Sequence, residues 1–166
     1  LGEDVSDAVF LGLAGRYEFH NKGIDLLLDT AAKLNGQKGR RIVLFALVPA
    51  GNSGVKSEYL DRRERPLAEL QGSLGISTHN LFDTERDPVH ERVKALGLDQ
   101  GADRRVRVIQ VPIYLAPNDG FWNLSYQAVL RAFDLSCFPS YYEPWGYTPQ
   151  ESLAVGVPTI TSDYAG

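Results

Sequence analysis

The amino-acid sequence predicts an α/β fold, in which parallel strands form an open, doubly wound sheet with helices on both faces. Short runs rich in aliphatic and β-branched residues alternate with longer runs of helical period, which is typical of repeated βα units. The chain has 166 residues, 43% of them hydrophobic and 23% charged, which is enough for one hydrophobic core. We therefore expect one domain over residues 1–166.

The strands are predicted from five short, mostly apolar runs. They lie at 8–15, 41–50, 105–111, 134–140 and 157–162. The second run, RIVLFALVPA, is the strongest, and its end is marked by Pro49 and Gly51. In open sheets of this class, ligands bind beyond the carboxyl ends of the strands. The loops that follow the strands are therefore the first places to look for a site.

The helices are predicted from runs in which apolar residues recur every three or four positions. They lie at 23–36, 55–71, 87–98, 124–133 and 148–156. Pro88 suits the first turn of the third. The stretches 50–57 and 116–121 are polar and contain glycine or proline, so we expect them to be linker-like, whereas 76–82 fits neither strand nor helix clearly. The RRER run at 62–65 is interpreted as a solvated helix face.

Charge and cysteine content exclude several classes of function. Seventeen basic and 21 acidic residues give a net charge of −4, which argues against a nucleic-acid partner. No run approaches the roughly 20 apolar residues of a membrane span. A lone cysteine, Cys137, forms no internal disulfide and fits a reducing compartment, so we expect a cytoplasmic protein. The three histidines lack metal-ligand spacing, and we expect no metal.

The loop GRYEFHNKG at 15–23 follows the first strand and carries two cations. Arg16 and Lys22 lie either side of a turn, just before a helix that Asn21 is predicted to cap. Together with the helix N-terminus they would offset about two negative charges, which is the charge of a pyrophosphate diester. The alternative is that both are solvated loop charges, one of them paired with Glu18. No Walker or G-x-G-x-x-G pattern is present.

The second loop, within SYYEPWGYTPQESLAVGVP at 140–158, is rich in aromatic residues. Four of them fall within seven residues: Tyr141, Tyr142, Trp145 and Tyr147. Glu143 lies among them with no local partner, so we expect it to contact substrate.

Glu151, eight residues after Glu143, has two interpretations. Thr148 suits the N-cap of a helix with Pro149 at its first position, and Thr148-x-x-Glu151 is then a capping box that needs no ligand. In the functional interpretation, Glu151 accepts hydrogen bonds from vicinal hydroxyl groups, and the free N–H groups of the helix hold hydroxyl or phosphate oxygens.

Three motifs resemble glycogen synthases of the animal and fungal type. They are G-R-Y-E-F-x-N-K-G at 15–23, T-H-N-L-F-D at 78–83, and F-P-S-Y-Y-E-P-W-G-Y-T-P-x-E at 138–151. The resemblance implies a B-type glycosyltransferase fold of two facing Rossmann-like domains, of which this chain is the C-terminal, donor-binding one. The implied activity is the retaining transfer of glucose from UDP-glucose to the non-reducing end of an α-1,4-glucan, with no metal required.

The resemblance also implies roles for particular residues. Arg16 and Lys22 match the basic pair on the pyrophosphate, Glu143 lies near the transferred glucose, and Glu151 lies near the ribose hydroxyls. Tyr126, seventeen residues before Glu143, falls where the family stacks an aromatic ring on uracil. The main chain implied to hold glucose and phosphate oxygens is that of Trp145, Gly146, Tyr147 and Thr148.

Because the sequence contains no methionine and stops just after a predicted strand, we expect it to be a piece of a longer protein. The missing N-terminal domain would bind the glucan acceptor, so we expect the piece alone to be inactive, and the whole protein is a possible homo-oligomer. One departure from the family is Val111-Pro112-Ile113, which replaces a more polar His-Pro-Glu-like stretch. The alternatives are another retaining nucleotide-sugar glycosyltransferase, with an ADP- or GDP-linked donor, and a non-catalytic nucleotide-binding module.

Overall fold

The computed structural model describes residues 5–64, 75–101 and 104–164. The strands are β1 (Val9–Ala14), β2 (Ile42–Leu47), β3 (Asn52–Val55), β4 (His79–Leu81), β5 (Val106–Val111), β6 (Leu135–Phe138) and β7 (Thr159–Thr161). The helices are α1 (Ile24–Asn35), α2 (Ser57–Glu64), α3 (Pro88–Ala95), α4 (Tyr126–Leu130) and α5 (Tyr147–Ala154). In this described part, no helix is long and apolar enough to cross a membrane.

The central sheet has five parallel strands in the order β5-β2-β1-β6-β7. Strand β1 pairs with β2 from Val9↔Ile42 to Ala14↔Leu47, and with β6 on its other side. The chain first builds outward from β1 through β2 to β5, and then returns to place β6 next to β1. The strand order therefore reverses between β1 and β6, which is the point where doubly wound sheets bind ligands. The predicted fold class and all five predicted strands are confirmed.

Apolar side chains cover both faces of this sheet. On one face α1 buries Ile24, Leu27 and Leu28 against β1, β2 and β5, together with α3. On the other face, α4 and the following Phe133 pack on the sheet. Gly12 makes this possible, because a Cβ there would lie 2.1 Å from the Phe133 ring. Cys137 is buried in β6, as expected of a small core residue.

The stretch 50–57 is not linker-like, because it contains β3. This strand pairs antiparallel with β4, within the stretch 76–82 whose structure the sequence left ambiguous. The Asn52 side chain fixes the entry to β3 by donating hydrogen bonds to the carbonyl groups of Ala50 and Pro112, both at 3.0 Å. The predicted helix 55–71 is present as α2 up to Glu64, and its remainder lies outside the described residues, as do the side chains of 62–65.

Two predicted helix caps are wrong. Helix α1 is preceded by Gly23 rather than capped by Asn21, and α5 is preceded by Gly146 rather than capped by Thr148. Both glycines have the left-handed backbone, with φ of 64° and 73°, and neither helix has a side-chain cap. Pro149 was predicted at the first position of the helix, but it is the third residue of α5. The prediction that Pro88 lies in the first turn of α3 is confirmed.

Candidate functional site

A cavity of about 410 Å³ opens at the carboxyl edge of the sheet. Its walls are the ends of β1, β2 and β5 and the loops that follow them, with α4 and α5 opposite. The polar side chains that line it are those of Arg16, Thr148 and Glu151, and Tyr114 and Tyr126 supply aromatic surface. The cavity therefore combines a few charged and polar groups with apolar and aromatic surface, which is common in sites for small organic ligands.

The loops 15–23 and 140–146 meet at this edge, because β1 and β6 are neighbours. An ion pair joins Lys22 Nζ to Glu143 Oε2, and the two side chains are only 13% and 14% exposed. The Tyr141 N–H donates to the carbonyl of Asn21 at 2.9 Å. The rings of His20 and Tyr141 stack with their centroids 4.3 Å apart. The two loops in which the sequence predicted site residues therefore meet at one edge of the sheet.

Arg16 lies at the mouth of the cavity with a largely exposed side chain. Its guanidinium pairs with Glu18 Oε1 at 2.9 Å, and 75% of the side chain is exposed. The alternative that one loop cation pairs with Glu18 is therefore realised for Arg16, although the same side chain lines the cavity. An exposed ion pair contributes little to stability, so it does not hold the guanidinium against a competing anion.

Helix α5 directs its first turn at the site. The first N–H groups of a helix lack intrahelical acceptors, and its N-terminus carries a partial positive charge. Since Thr148 does not cap α5, the capping-box interpretation of Glu151 is wrong. Both Thr148 and Glu151 instead line the cavity.

Tyr126 begins α4, behind the N-cap Ser125, and is half-buried at the cavity wall. Its hydroxyl is buried and has no hydrogen-bond partner among the described residues. Burial, and the charge of Glu151, raise the pKa of this phenol well above its usual value. The hydroxyl is therefore a neutral donor that lacks an acceptor at a ligand-sized cavity.

The remaining site residues of the second loop behave differently from one another. The rings of Trp145 and Tyr147 are largely exposed, with centroids 6.1 Å apart, and they do not line the cavity. Gly146 supplies the left-handed turn into α5. The roles predicted for Trp145, Gly146 and Tyr147 belong to their main-chain groups. In the structure these groups lie at the N-terminus of α5.

Sequence reasoning missed Tyr114, whose side chain is 78% exposed and lines the cavity. It follows β5 by three residues, so its place after a strand was the available signal. Its neighbours Ile113 and Leu115 make the same wall apolar. Ile113, the last residue of the Val111-Pro112-Ile113 stretch, therefore lines the cavity itself.

His79 does not line the cavity. It is 2% exposed, its Nδ1 is 2.8 Å from Thr78 Oγ1, and its ring meets that of Phe121 edge-on. Burial lowers the pKa of its imidazole, so the role of His79 is structural. Across residues 5–64, 75–101 and 104–164 no group of three His, Cys, Asp or Glu side chains is placed to hold a metal ion.

Comparison of the sequence with known proteins gives one consistent family. A family model described as glycogen synthase matches residues 63–166. Over 98% of its length the chain is 27% identical to the liver glycogen [starch] synthases of Mus musculus and Homo sapiens, and 28% identical to glycogen [starch] synthase isoform 1 of Saccharomyces cerevisiae. It covers 30%, 31% and 32% of these proteins, so it spans about a third of their length.

Solved structures of similar fold come from work on sugar transfer. One concerns bisubstrate glycomimetics of trehalose-6-phosphate synthase, and it matches 97% of this chain and 31% of that chain with a TM-score of 0.53 at 9% identity. Another, described as trehalose-6-phosphate from E. coli bound with UDP-2-fluoro glucose, has a TM-score of 0.54 at 11% identity, with the same coverage. At such identities the likeness concerns the fold alone, the Rossmann-like sheet of a B-type glycosyltransferase half.

Proposed function

The chain belongs to the glycogen synthase family, and from that premise we propose that it forms the donor site of a glycogen (starch) synthase. This enzyme transfers glucose, with retention, from UDP-glucose to the non-reducing end of an α-1,4-glucan. The observation that carries the proposal is the meeting of the loops 15–23 and 140–146 at the carboxyl edge of the sheet. Arg16 and the first turn of α5 line the cavity there, and Lys22, which does not line it, joins the two loops through Glu143.

The charges at this edge of the sheet suit a diphosphate. Arg16 has an exposed guanidinium with a fork of donors that matches phosphate oxygens. Lys22 has three N–H donors, of which the bond to Glu143 uses one. Both side chains, and the N-terminus of α5, present positive charge without a metal ion. As the glucosyl bond breaks, negative charge grows on the diphosphate, so these fixed charges stabilise the transition state more than the ground state.

In this proposal Glu143 orients the sugar. Its Oε2 is taken by Lys22, which fixes the carboxylate next to the cation that would hold the phosphate. Its other oxygen can then accept a hydrogen bond from a glucose hydroxyl group. Since Lys22 and Glu143 are held together, the position of the sugar depends on that of the phosphate.

The aromatic lining of the cavity suits a nucleoside. Tyr126 and Tyr114 offer aromatic surface on which a base can stack, and Glu151 can accept two hydrogen bonds from vicinal ribose hydroxyls. The volume of about 410 Å³ lies in the range of small-ligand sites. The acceptor glucan would be bound by parts of the complete protein beyond this chain.

Donor competition on the complete protein tests the choice of nucleotide. UDP is expected to inhibit transfer more strongly than ADP or GDP. Stronger inhibition by ADP or GDP would favour another retaining nucleotide-sugar transferase. Glu143→Ala is expected to abolish measurable transfer, and unchanged transfer would favour a non-catalytic nucleotide-binding module.

Replacing Arg16 tests the phosphate site itself. Arg16→Ala should lower turnover at least tenfold, because losing one positioned charge costs about 2–4 kcal/mol of transition-state stabilisation. Arg86→Ala is the matched control, since Arg86 is also exposed (88%) and weakly paired with a nearby carboxylate, that of Asp83. Equal turnover in the two variants would contradict the assignment.

A further inference from the structure

The carboxylate of Asp87 is buried next to the loop 15–23, and the proposed donor site does not account for its hydrogen bonds. Asp87 is 6% exposed and collects several hydrogen bonds. Its Oδ1 accepts from the backbone N–H of His90 at 3.0 Å and so caps α3. Its Oδ2 accepts from the Tyr17 hydroxyl at 2.7 Å and from Gln110 Nε2 at 3.2 Å. A helix cap needs only the first of these bonds.

Tyr17 is the residue that links this network to the proposed donor site. Its hydroxyl donates to Asp87 and accepts the backbone N–H of Val89 at 3.1 Å, so it bonds to two groups at the start of α3. Burial, together with Asp87, raises the pKa of the Tyr17 phenol far above its usual value. The hydroxyl therefore keeps its proton and is the donor in its bond to Asp87.

The loop 15–23 is thus held at two points. At its far end, Lys22 is joined to Glu143 and Asn21 accepts from Tyr141. At its near end, Tyr17 is joined to Asp87 across seventy residues of sequence. Arg16 precedes Tyr17 directly, and the partner of its side chain among the described residues is Glu18, in an exposed pair. The backbone from which the guanidinium reaches the cavity is held on one side by the Gly15 N–H, which donates to the Leu47 carbonyl at 3.3 Å, and on the other side by the Tyr17 hydroxyl.

We infer that Tyr17 and Asp87 are a positioning pair, which aims Arg16 at the phosphates of the nucleotide donor. The inference rests on the proposed function. A displaced guanidinium loses the two-pronged geometry that phosphate recognition requires, and small misplacements of a positioned group reduce rates by as much as about a hundredfold.

The test uses the complete protein, with UDP as the probe. Tyr17→Phe keeps the ring in the core and removes the hydroxyl. It is expected to weaken UDP binding about fivefold to tenfold and to lower kcat, consistent with partial misplacement. Asp87→Ser keeps a good N-cap for α3 and removes the oxygen that Tyr17 bonds, so it should have the same effect on UDP binding. This second variant also serves if Tyr17→Phe does not fold.

The decisive readout is a double-mutant cycle with Arg16→Ala. If Tyr17 acts through Arg16, then Tyr17→Phe should change UDP affinity less than about twofold once the guanidinium is gone, because coupled residues are not additive. Asn35→Ala is the control. It removes the side-chain oxygen that accepts a hydrogen bond from the Val106 N–H, at the opposite edge of the sheet. This variant should therefore lower stability without changing UDP affinity.

The outcomes separate the two hypotheses. Equal losses from Tyr17→Phe with and without Arg16, or a loss of thermal stability alone, would overturn the positioning role and leave the proposed function standing. If Arg16→Ala itself leaves UDP affinity unchanged, both the proposed function and the positioning pair are wrong.

Discussion

The ion pair between Lys22 and Glu143 joins the two loops, and Lys22→Met removes its cation. Breaking a buried pair leaves an uncompensated charge and costs about 3–5 kcal/mol. Because both side chains keep a little exposure, 13% and 14%, we expect the lower end of this range. In a domain of this size about 3 kcal/mol lowers Tm by about 6–12 °C.

Thermal unfolding followed by circular dichroism measures this effect. Glu143→Gln should cost a similar amount, because it strands the ammonium group instead. The double variant Lys22→Met/Glu143→Gln should recover most of the loss, since replacing both charges is close to neutral. The shift should also persist at high salt, because salt screens buried pairs only weakly.

The pair between Arg92 and Asp29 provides the control, because its side chains are 40% and 39% exposed. Arg92→Met should therefore cost no more than about 1 kcal/mol. The reasoning is refuted if Lys22→Met lowers Tm no more than Arg92→Met does, or if the double variant loses the sum of the two single losses.

Three further predictions concern other parts of the molecule. Gly23→Ala should lower Tm by more than about 6 °C, because the added Cβ would lie 2.0 Å from the Pro139 carbonyl oxygen. The control is Gly97→Ala, which has nearly the same φ but open space around the added Cβ, so it should lower Tm far less. Burial raises the pKa of the Cys137 thiol to about 11, so a thiol reagent at pH 8 should label the folded protein far more slowly than the unfolded one; equal rates would contradict this. Burial lowers the pKa of His90 below its ordinary 6.5, so the unfolded state takes up more protons and stability should fall as the pH drops below about 6.5. His90→Gln should flatten that part of the pH profile, and an unchanged slope would show that His90 does not contribute.

Local pattern was enough to predict the strands of the sheet and most helices. The runs at 8–15 and 41–50 are apolar because β1 and β2 lie in the middle of a sheet that is covered on both faces, and such strands are readable without tertiary information. Strand β3 was missed because its sequence, Asn52–Val55, is polar and contains glycine. Its pairing comes from β4, which is distant in sequence.

The helix caps show where local rules fail. Asn21 and Thr148 are both of residue types that are common at the N-cap, yet the residues at the N-caps of α1 and α5 are Gly23 and Gly146. Gly23 lies against Pro139, where any Cβ would clash, so a tertiary contact decides the position. The hydrogen bond between Tyr17 and Asp87 could not be predicted either, because the two residues are seventy positions apart and no local spacing indicates that they meet.

The site was predictable only in part. Charges after β1 and carboxylates after β6 indicated which loops to examine, and the neighbouring positions of the two strands bring those loops together. The aromatic wall formed by Tyr114 was not predicted, because a single tyrosine after a strand carries no motif.

A crystal structure of the complete protein with bound UDP tests the central claim most directly. The diphosphate should lie between the guanidinium of Arg16 and the main chain of residues 145–148, with the base at the wall formed by Tyr114 and Tyr126. A diphosphate bound elsewhere, out of reach of both loops, would contradict the account.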